Sequence, residues 1–150
     1  MDGYMLGGNP SLFSNSAGKA LTLRFDRGWY GSEGNRSFYW SWARGNATHE
    51  IRNPHASAVS VRFRFSLVSI GRRTVRLKLN GEEIWSTKLG EHQVLTAALS
   101  SIRLQPGRSE LVWETDEPAV LLTNDPRELA FMVQNFRMDV VRLLPDEPAR

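Results

Sequence analysis

The chain has 150 residues, of which 41% are hydrophobic and 23% charged, with 12 glycines, 7 prolines, no cysteine and a formal net charge of +3. This composition suits one globular domain and excludes disorder, collagen-like repeats, disulfide frameworks, cysteine–zinc sites, iron–sulfur clusters and thiol catalysis. The longest apolar run, Leu129-Ala130-Phe131-Met132-Val133, is far shorter than the roughly 20 residues a membrane helix needs.

In chain order, residues 1–18 are rich in Gly, Ser and Asn and read as an irregular lead. A period of two then begins. Leu21, Leu23 and Phe25 share one side of the first strand. Trp29 and Tyr30 sit in a glycine-rich loop, Gly28 to Gly34. The next strand, Ser37 to Arg44, carries Phe38, Trp40, Trp42 and Arg44 on one face and Ser37, Tyr39, Ser41 and Ala43 on the other. The clearest strand is Ser57 to Leu67, with Val59, Val61, Phe63, Phe65 and Leu67 facing inward. Thr74 to Leu79 follows, with Val75, Leu77 and Leu79 inward. Asn80-Gly81 then predicts a type I′ hairpin into Ile84-Trp85-Ser86-Thr87, because both turn residues tolerate positive φ. Gln105-Pro106-Gly107-Arg108 is a second turn, joining Ile102-Arg103-Leu104 to Glu110-Leu111-Val112-Trp113-Glu114.

The segment Glu128 to Leu144 has helix propensity, but its surroundings favour a closing strand with a bulge; Pro145 and Pro148 end it. Eight or nine short strands with turns between them predict an all-β fold, an antiparallel β-sandwich of jelly-roll type. An immunoglobulin-like topology is the second choice. The expected organisation is a lead at 1–18, one β-sandwich domain at 19–144 and a tail at 145–150.

The positive charge is mostly guanidinium. Arg24, Arg36, Arg52, Arg62, Arg76, Arg103, Arg127 and Arg142 are spread along the chain among acids, whereas a nucleic-acid binder concentrates its basic residues. No nucleic-acid partner is expected. His49, His55 and His92 lack metal-ligand spacing and read as surface or capping residues, so neither metal nor other cofactor is expected. A glycosidase would need two carboxylates across a cleft. Asp26, Glu33, Glu50, Asp116 and Asp125 are candidates, yet none lies in a diagnostic motif, and no residue is assigned a catalytic role. In Asp125-Pro126-Arg127-Glu128, Arg127 is expected to clamp a carboxylate.

The aromatic residues carry the functional reading. Indoles two residues apart on a strand stand about 6.5–7 Å from each other and make a flat apolar surface with N–H donors at its edge. Sugar rings stack on such surfaces. The candidate carbohydrate-binding residues are Trp29, Tyr30, Glu33, Trp40, Trp42 and Arg44, with Glu33 and Arg44 as polar readers. For Trp40 and Trp42 a place in the core is the competing reading.

Phe25-Asp26-Arg27-Gly28-Trp29-Tyr30-Gly31-Ser32-Glu33 and Phe38-Tyr39-Trp40-Ser41-Trp42-Ala43 resemble a bacterial β-sandwich family related to carbohydrate-binding modules. The resemblance extends through Leu79-Asn80-Gly81, through Leu104 to Gly107, and through Asp125, Arg127, Leu129, Ala130 and Phe131. Members commonly form the C-terminal extracytoplasmic domain of multi-spanning membrane glycosyltransferases. The resemblance implies a noncatalytic domain, periplasmic or at the cell surface. It further implies binding of oligo- or polysaccharide and partnership with the membrane-embedded part of a larger enzyme, with no membrane insertion of the domain itself. The alternative it implies is an assembly domain of such an enzyme that binds no glycan. Met1-Asp2-Gly3-Tyr4 has no basic signal-peptide region and no apolar stretch follows, which fits an excised domain or a cytoplasmic protein.

Overall fold

A computed structural model describes residues 20–145; the expected lead at 1–18 and all of the expected tail except Pro145 lie outside the described residues. Every regular element among them is a strand. In chain order these are β1 (Thr22–Phe25), β2 (Glu33–Gly34), β3 (Tyr39–Ala43), β4 (Ala47–Asn53), β5 (Val59–Ser69) and β6 (Arg73–Leu79). β7 (Glu82–Leu89), β8 (Val94–Leu104), β9 (Gly107–Thr115), β10 (Val120–Leu121), β11 (Glu128–Leu129) and β12 (Phe131–Leu143) complete the set. The first sheet has the order β1-β4-β9-β6-β7 and the second β2-β3-β12-β5-β8, with β10-β11 as a separate pair. All pairings are antiparallel. The fold is therefore the expected all-β sandwich. The described residues form twelve strands rather than eight or nine, because two-residue strands such as β2, β10 and β11 are too short to show an alternation in sequence.

The core lies between the two five-stranded sheets. β5 supplies Val59, Val61, Phe63, Phe65 and Leu67, all buried, as the alternation requires. The facing sheet supplies Ile51, Val75, Leu77, Leu111 and Trp113. The Trp113 ring touches those of Phe65, Phe131 and Phe136 in edge-on or tilted contacts, geometries that aromatic pairs prefer over flat sandwiches. Asn80 (φ 50°) and Gly81 (φ 88°) both take positive φ between β6 and β7, where Leu79 pairs with Glu82, so the type I′ hairpin is present.

Three details differ from the sequence reading. The turn at 105–106 does not close a hairpin, since β8 and β9 belong to different sheets; the chain crosses the sandwich there. The expected closing strand, β12, is a central strand between β3 and β5. Its bulge falls between Gln134 and Arg137, where Asn135 takes φ 49° and its Oδ1 accepts the Tyr39 amide at 2.8 Å. The bulge shifts the alternation by one residue, so Phe136 and Met138 are buried while Arg137 turns outward. Finally, His49 and His55 are buried rather than at the surface.

Candidate functional site

β3 decides between the two readings of its tryptophans. Ser41 and Ala43 are buried and Tyr39 points inward, with its hydroxyl donating to the Phe136 carbonyl. Trp40 and Trp42 therefore occupy the outward face of the second sheet, half-buried, and are not core. Small inward residues on β3 leave room for the rings that fill the core from elsewhere.

Cross-strand register extends this face over five strands. Trp42 pairs with Met132, Met132 with Val68 and Val68 with Val94, giving an apolar row. The adjacent row runs Glu33, Trp40, Gln134, Ser66 and Thr96, and the Ser66 and Thr96 hydroxyls lie 3.0 Å apart. Phe38, 43% exposed, continues the β3 stripe with its ring centroid 5.5 Å from that of Trp40. Directly opposite residues have Cβ atoms about 4.5–5.5 Å apart, so each row is a continuous strip. The result is an open surface of stacked aromatic and aliphatic faces beside a strip of hydroxyl and amide groups. Gly34 makes the edge possible. At φ 100° it lets β2 fold under the ring, and a Cβ there would collide with the Phe38 carbonyl and stand 2.8 Å from Cζ3 of Trp40.

Tyr30 and Arg44 flank the same edge. The Tyr30 amide donates to the Trp42 carbonyl at 2.9 Å and its hydroxyl to the Glu128 carbonyl at 2.9 Å. The guanidinium carbons of Arg44 and Arg127 stand 5.8 and 5.3 Å from its ring centroid, within cation–π range. Arg127 holds Asp125 through two nitrogens at 2.9 and 3.1 Å and reaches Glu33 at 2.9 Å. The expected clamp exists and ties the loop before β11 to β2. Hydrogen bonds from the Arg127 side chain and backbone hold the Asp125 carboxyl down at about 2.

Trp29 does not join this group. Its indole stacks on the His49 ring at 4.8 Å and meets Phe25, Trp113 and Phe131 edge-on, while Nε1 donates to the Thr48 carbonyl at 2.9 Å. The loop that carries it folds back against Ala43 through a single bridge, which turns the ring inward. Of the six sequence-predicted residues, five gather at one edge of the outward face and Trp29 packs against the core beneath. Sequence reasoning missed Phe38, Met132, Gln134 and the Ser66–Thr96 pair. Phe38 shares the β3 periodicity and was legible; the others depend on strand pairing.

The remaining candidate carboxylates are engaged by arginine. Glu50 lies 3.3 Å from Arg24 and 2.6 Å from Arg108. Asp26 is 3.7 Å from Arg24, and Asp116 is 2.7 Å from Arg76, whose hydrogen bonds lower its pKa. Among the described residues no group of three His, Asp or Glu side chains is placed to hold a metal ion. His49 accepts the Trp113 indole N–H at Nδ1, 3.0 Å, and burial lowers its pKa to about 3. Its Nε2 is buried without a hydrogen-bond partner.

No protein-family model matches the chain, and no curated protein does. Several solved structures are similar to it over most of its length. The Podospora anserina GH26-CBM35 β-(1,4)-mannanase is 13% identical with a TM-score of 0.46, over 85% of this chain and 26% of that one. The Bacillus thuringiensis Cry1Da tryptic core variant is 9% identical with a TM-score of 0.50, over 82% of this chain and 24% of that one. The chain thus spans about a quarter of the length of these two proteins. A family 35 carbohydrate-binding module from an environmental isolate is 12% identical with a TM-score of 0.47, over 85% of this chain and 98% of that one. At these identities the likeness concerns the fold alone.

Proposed function

We propose that the chain is a noncatalytic carbohydrate-binding module that takes oligo- or polysaccharide on the outward face of the second sheet. One observation carries the reading: Trp40 and Trp42 stand side by side outside the core, flanked by Tyr30 and Phe38, next to the Gln134–Ser66–Thr96 strip. Sugar C–H faces stack on the indoles, and the amide and hydroxyl groups meet the sugar hydroxyls. Arg44, held over Tyr30, is a further donor at the rim. The noncatalytic part rests on the carboxylates. A glycosidase acid must hold its proton near neutral pH, through a raised pKa. Here Asp116 and Asp125 are shifted the opposite way, and Glu33 and Glu50 are bound to arginines.

The second reading is an assembly domain that docks on the membrane-embedded part of a larger envelope enzyme. The apolar strip favours it: Phe38 and Val94, 59% exposed, offer surface that a protein partner would cover equally well.

Titration of intrinsic tryptophan fluorescence against a panel of polysaccharides, paired with native affinity electrophoresis, separates the two. Glycan binding that Trp40→Ala and Trp42→Ala abolish, with melting temperature within a few degrees of the parent, supports the first reading. Absence of any glycan response at millimolar sugar, with both variants folded, replaces it by the second.

A further inference from the structure

Beyond the aromatic rows, the same face changes character. Past the β12 bulge, Arg137 pairs with Arg64, Asp139 with Arg62, and Arg142 with Ser60, which in turn pairs with Arg103 of β8. The outward alternation of β5 and β8 and the two register shifts of β12, between Gln134 and Arg137 and between Val140 and Arg142, aim all of these side chains away from the core. Five arginines that lie up to 80 positions apart in the chain thus share one half of one sheet face. Among the described residues Asp139 is the carboxylate in their midst, and it pairs with Arg64 at 2.8 Å. Arg62, Arg137 and Arg142 have no carboxylate within ion-pair distance among the described residues.

Two comparisons make this more than a solvated face. Arg137 and Arg64 stand directly opposite each other, an arrangement of like charges that destabilises a sheet; Asp139 relieves Arg64 and leaves Arg137 without a carboxylate among the described residues. The outward face of the first sheet is more fully paired, with Arg24 and Arg108 on Glu50, Arg27 on Glu110 and Arg76 and Lys78 on Glu114; it too holds an opposed arginine pair, Arg52 and Arg108, but there Arg108 has Glu50 at 2.6 Å.

We propose that the ligand of the outward face is an acidic polysaccharide, its sugar rings over Trp40 and Trp42 and its ring-borne carboxylate or sulfate groups on Arg137, Arg62 and Arg142. This rests on the platform reading above and specifies its substrate class. A guanidinium meets a carboxylate or sulfate with two parallel N–H donors, a geometry lysine cannot supply. Ser60 to Val68 spans roughly 27 Å of strand, so one extended chain reaches from the indoles to the arginines. Nucleic acid also pairs stacking with positive charge, in a basic groove that follows its backbone alongside the stacked bases. At the aromatic end the charges are wrong for a phosphate backbone: Glu33 stands opposite Trp40, and Arg127 is committed to Glu33 and Asp125.

The test uses the full chain in affinity electrophoresis and fluorescence titration against polygalacturonate, dextran sulfate and neutral dextran, with a single-stranded RNA oligonucleotide and phosphatidylserine vesicles as competitors. The expected result is that an anionic glycan binds at least about tenfold tighter than the neutral one, the factor one charge-assisted hydrogen bond supplies. Rising salt weakens that preference, and the carboxylate and sulfate arms show which anion fits. Arg62→Gln with Arg137→Gln should remove the preference for the anionic glycan and spare the fluorescence response to neutral sugar. Trp40→Ala should remove both. Equal binding of neutral and anionic glycans, unchanged in the arginine variant, overturns the acidic-ligand inference and leaves the platform standing. RNA or vesicles binding through the same arginines, with no glycan bound, overturns the inference and the platform reading together.

Discussion

The two sheets bury equivalent inward faces and dress their outward faces differently. On the first sheet, Glu50, Glu110 and Glu114 each sit between or beside cations. On the second, rows of aromatic and aliphatic side chains give way to arginines with Asp139 among them. Core packing does not require the difference, since both sheets have an inward face that is already full. An outward face with matched charges needs nothing further; one with half-exposed indoles and opposed guanidiniums is incompletely satisfied until something covers it. The contrast between inside and outside, and then between the two outsides, yields predictions of decreasing size.

The largest concerns acid. Neutral His49 is buried between the sheets, with a pKa of about 3 against 6.5 for the free side chain. The unfolded chain takes up the proton first, so the stability this group contributes is complete above about pH 6.5 and falls as pH drops toward 3. The full loss is roughly 4–5 kcal/mol. Chemical denaturation at pH 7, 5 and 4 measures it. His49→Gln, which keeps an acceptor for the Trp113 indole, should flatten the profile; an unchanged slope would place the acid sensitivity elsewhere, in the paired carboxylates of the outer surface.

Next comes the interior itself. Trp113 is fully buried and touches rings from both sheets, so Trp113→Ala should cost about 3–5 kcal/mol in urea unfolding. A loss below 1 kcal/mol would mean that the sheets are not joined through this ring.

The third prediction sets two tryptophans against each other. Trp29→Ala should cost about 2–3 kcal/mol, because its ring fills space against His49, Phe25 and Phe131. Trp42→Ala, on the outward face, should cost about 1 kcal/mol or less. Equal losses would erase the distinction between core rim and platform.

The smallest effect belongs to the first sheet's charge lattice. Glu50→Gln loosens Arg24 and Arg108 and should cost about 0.5–1 kcal/mol, diminishing as salt is added. A loss of several kcal/mol would show that this lattice, and not the core, holds the first sheet.

Much of the architecture was legible in the sequence because β-sheet alternation is local. Val59 to Leu67 announces its buried face residue by residue, and Asn80-Gly81 announces its hairpin because few other pairs accept positive φ twice. The β3 stripe of Phe38, Trp40 and Trp42 was equally plain as a stripe. Which side of the sheet it faced was not, because alternation separates two faces without labelling either as interior. That was decided by Ser41 and Ala43 lying against a core already filled by Trp113, Phe131 and Phe136.

His49 and Trp29 were misjudged for a related reason. A lone polar residue in a strand reads as surface, and a tryptophan in a glycine-rich loop reads as exposed. Here the loop folds back to Ala43, and the half-buried Trp29 ring stacks on the buried His49 ring. The arginine half of the outward face lay furthest from view. Arg62, Arg64, Arg103, Arg137 and Arg142 look dispersed in the chain, and simple alternation through β12 would put Arg137 on the same side as Phe131 and Val133. One extra residue at Asn135 reverses that, and strand pairing brings β5, β8 and β12 side by side. The sequence by itself determined the strands, their turns and the presence of an aromatic stripe, since these depend on neighbours two residues away. The tertiary structure alone decided which stripe faces water and which charges stand together, since both depend on pairing between strands remote in the chain.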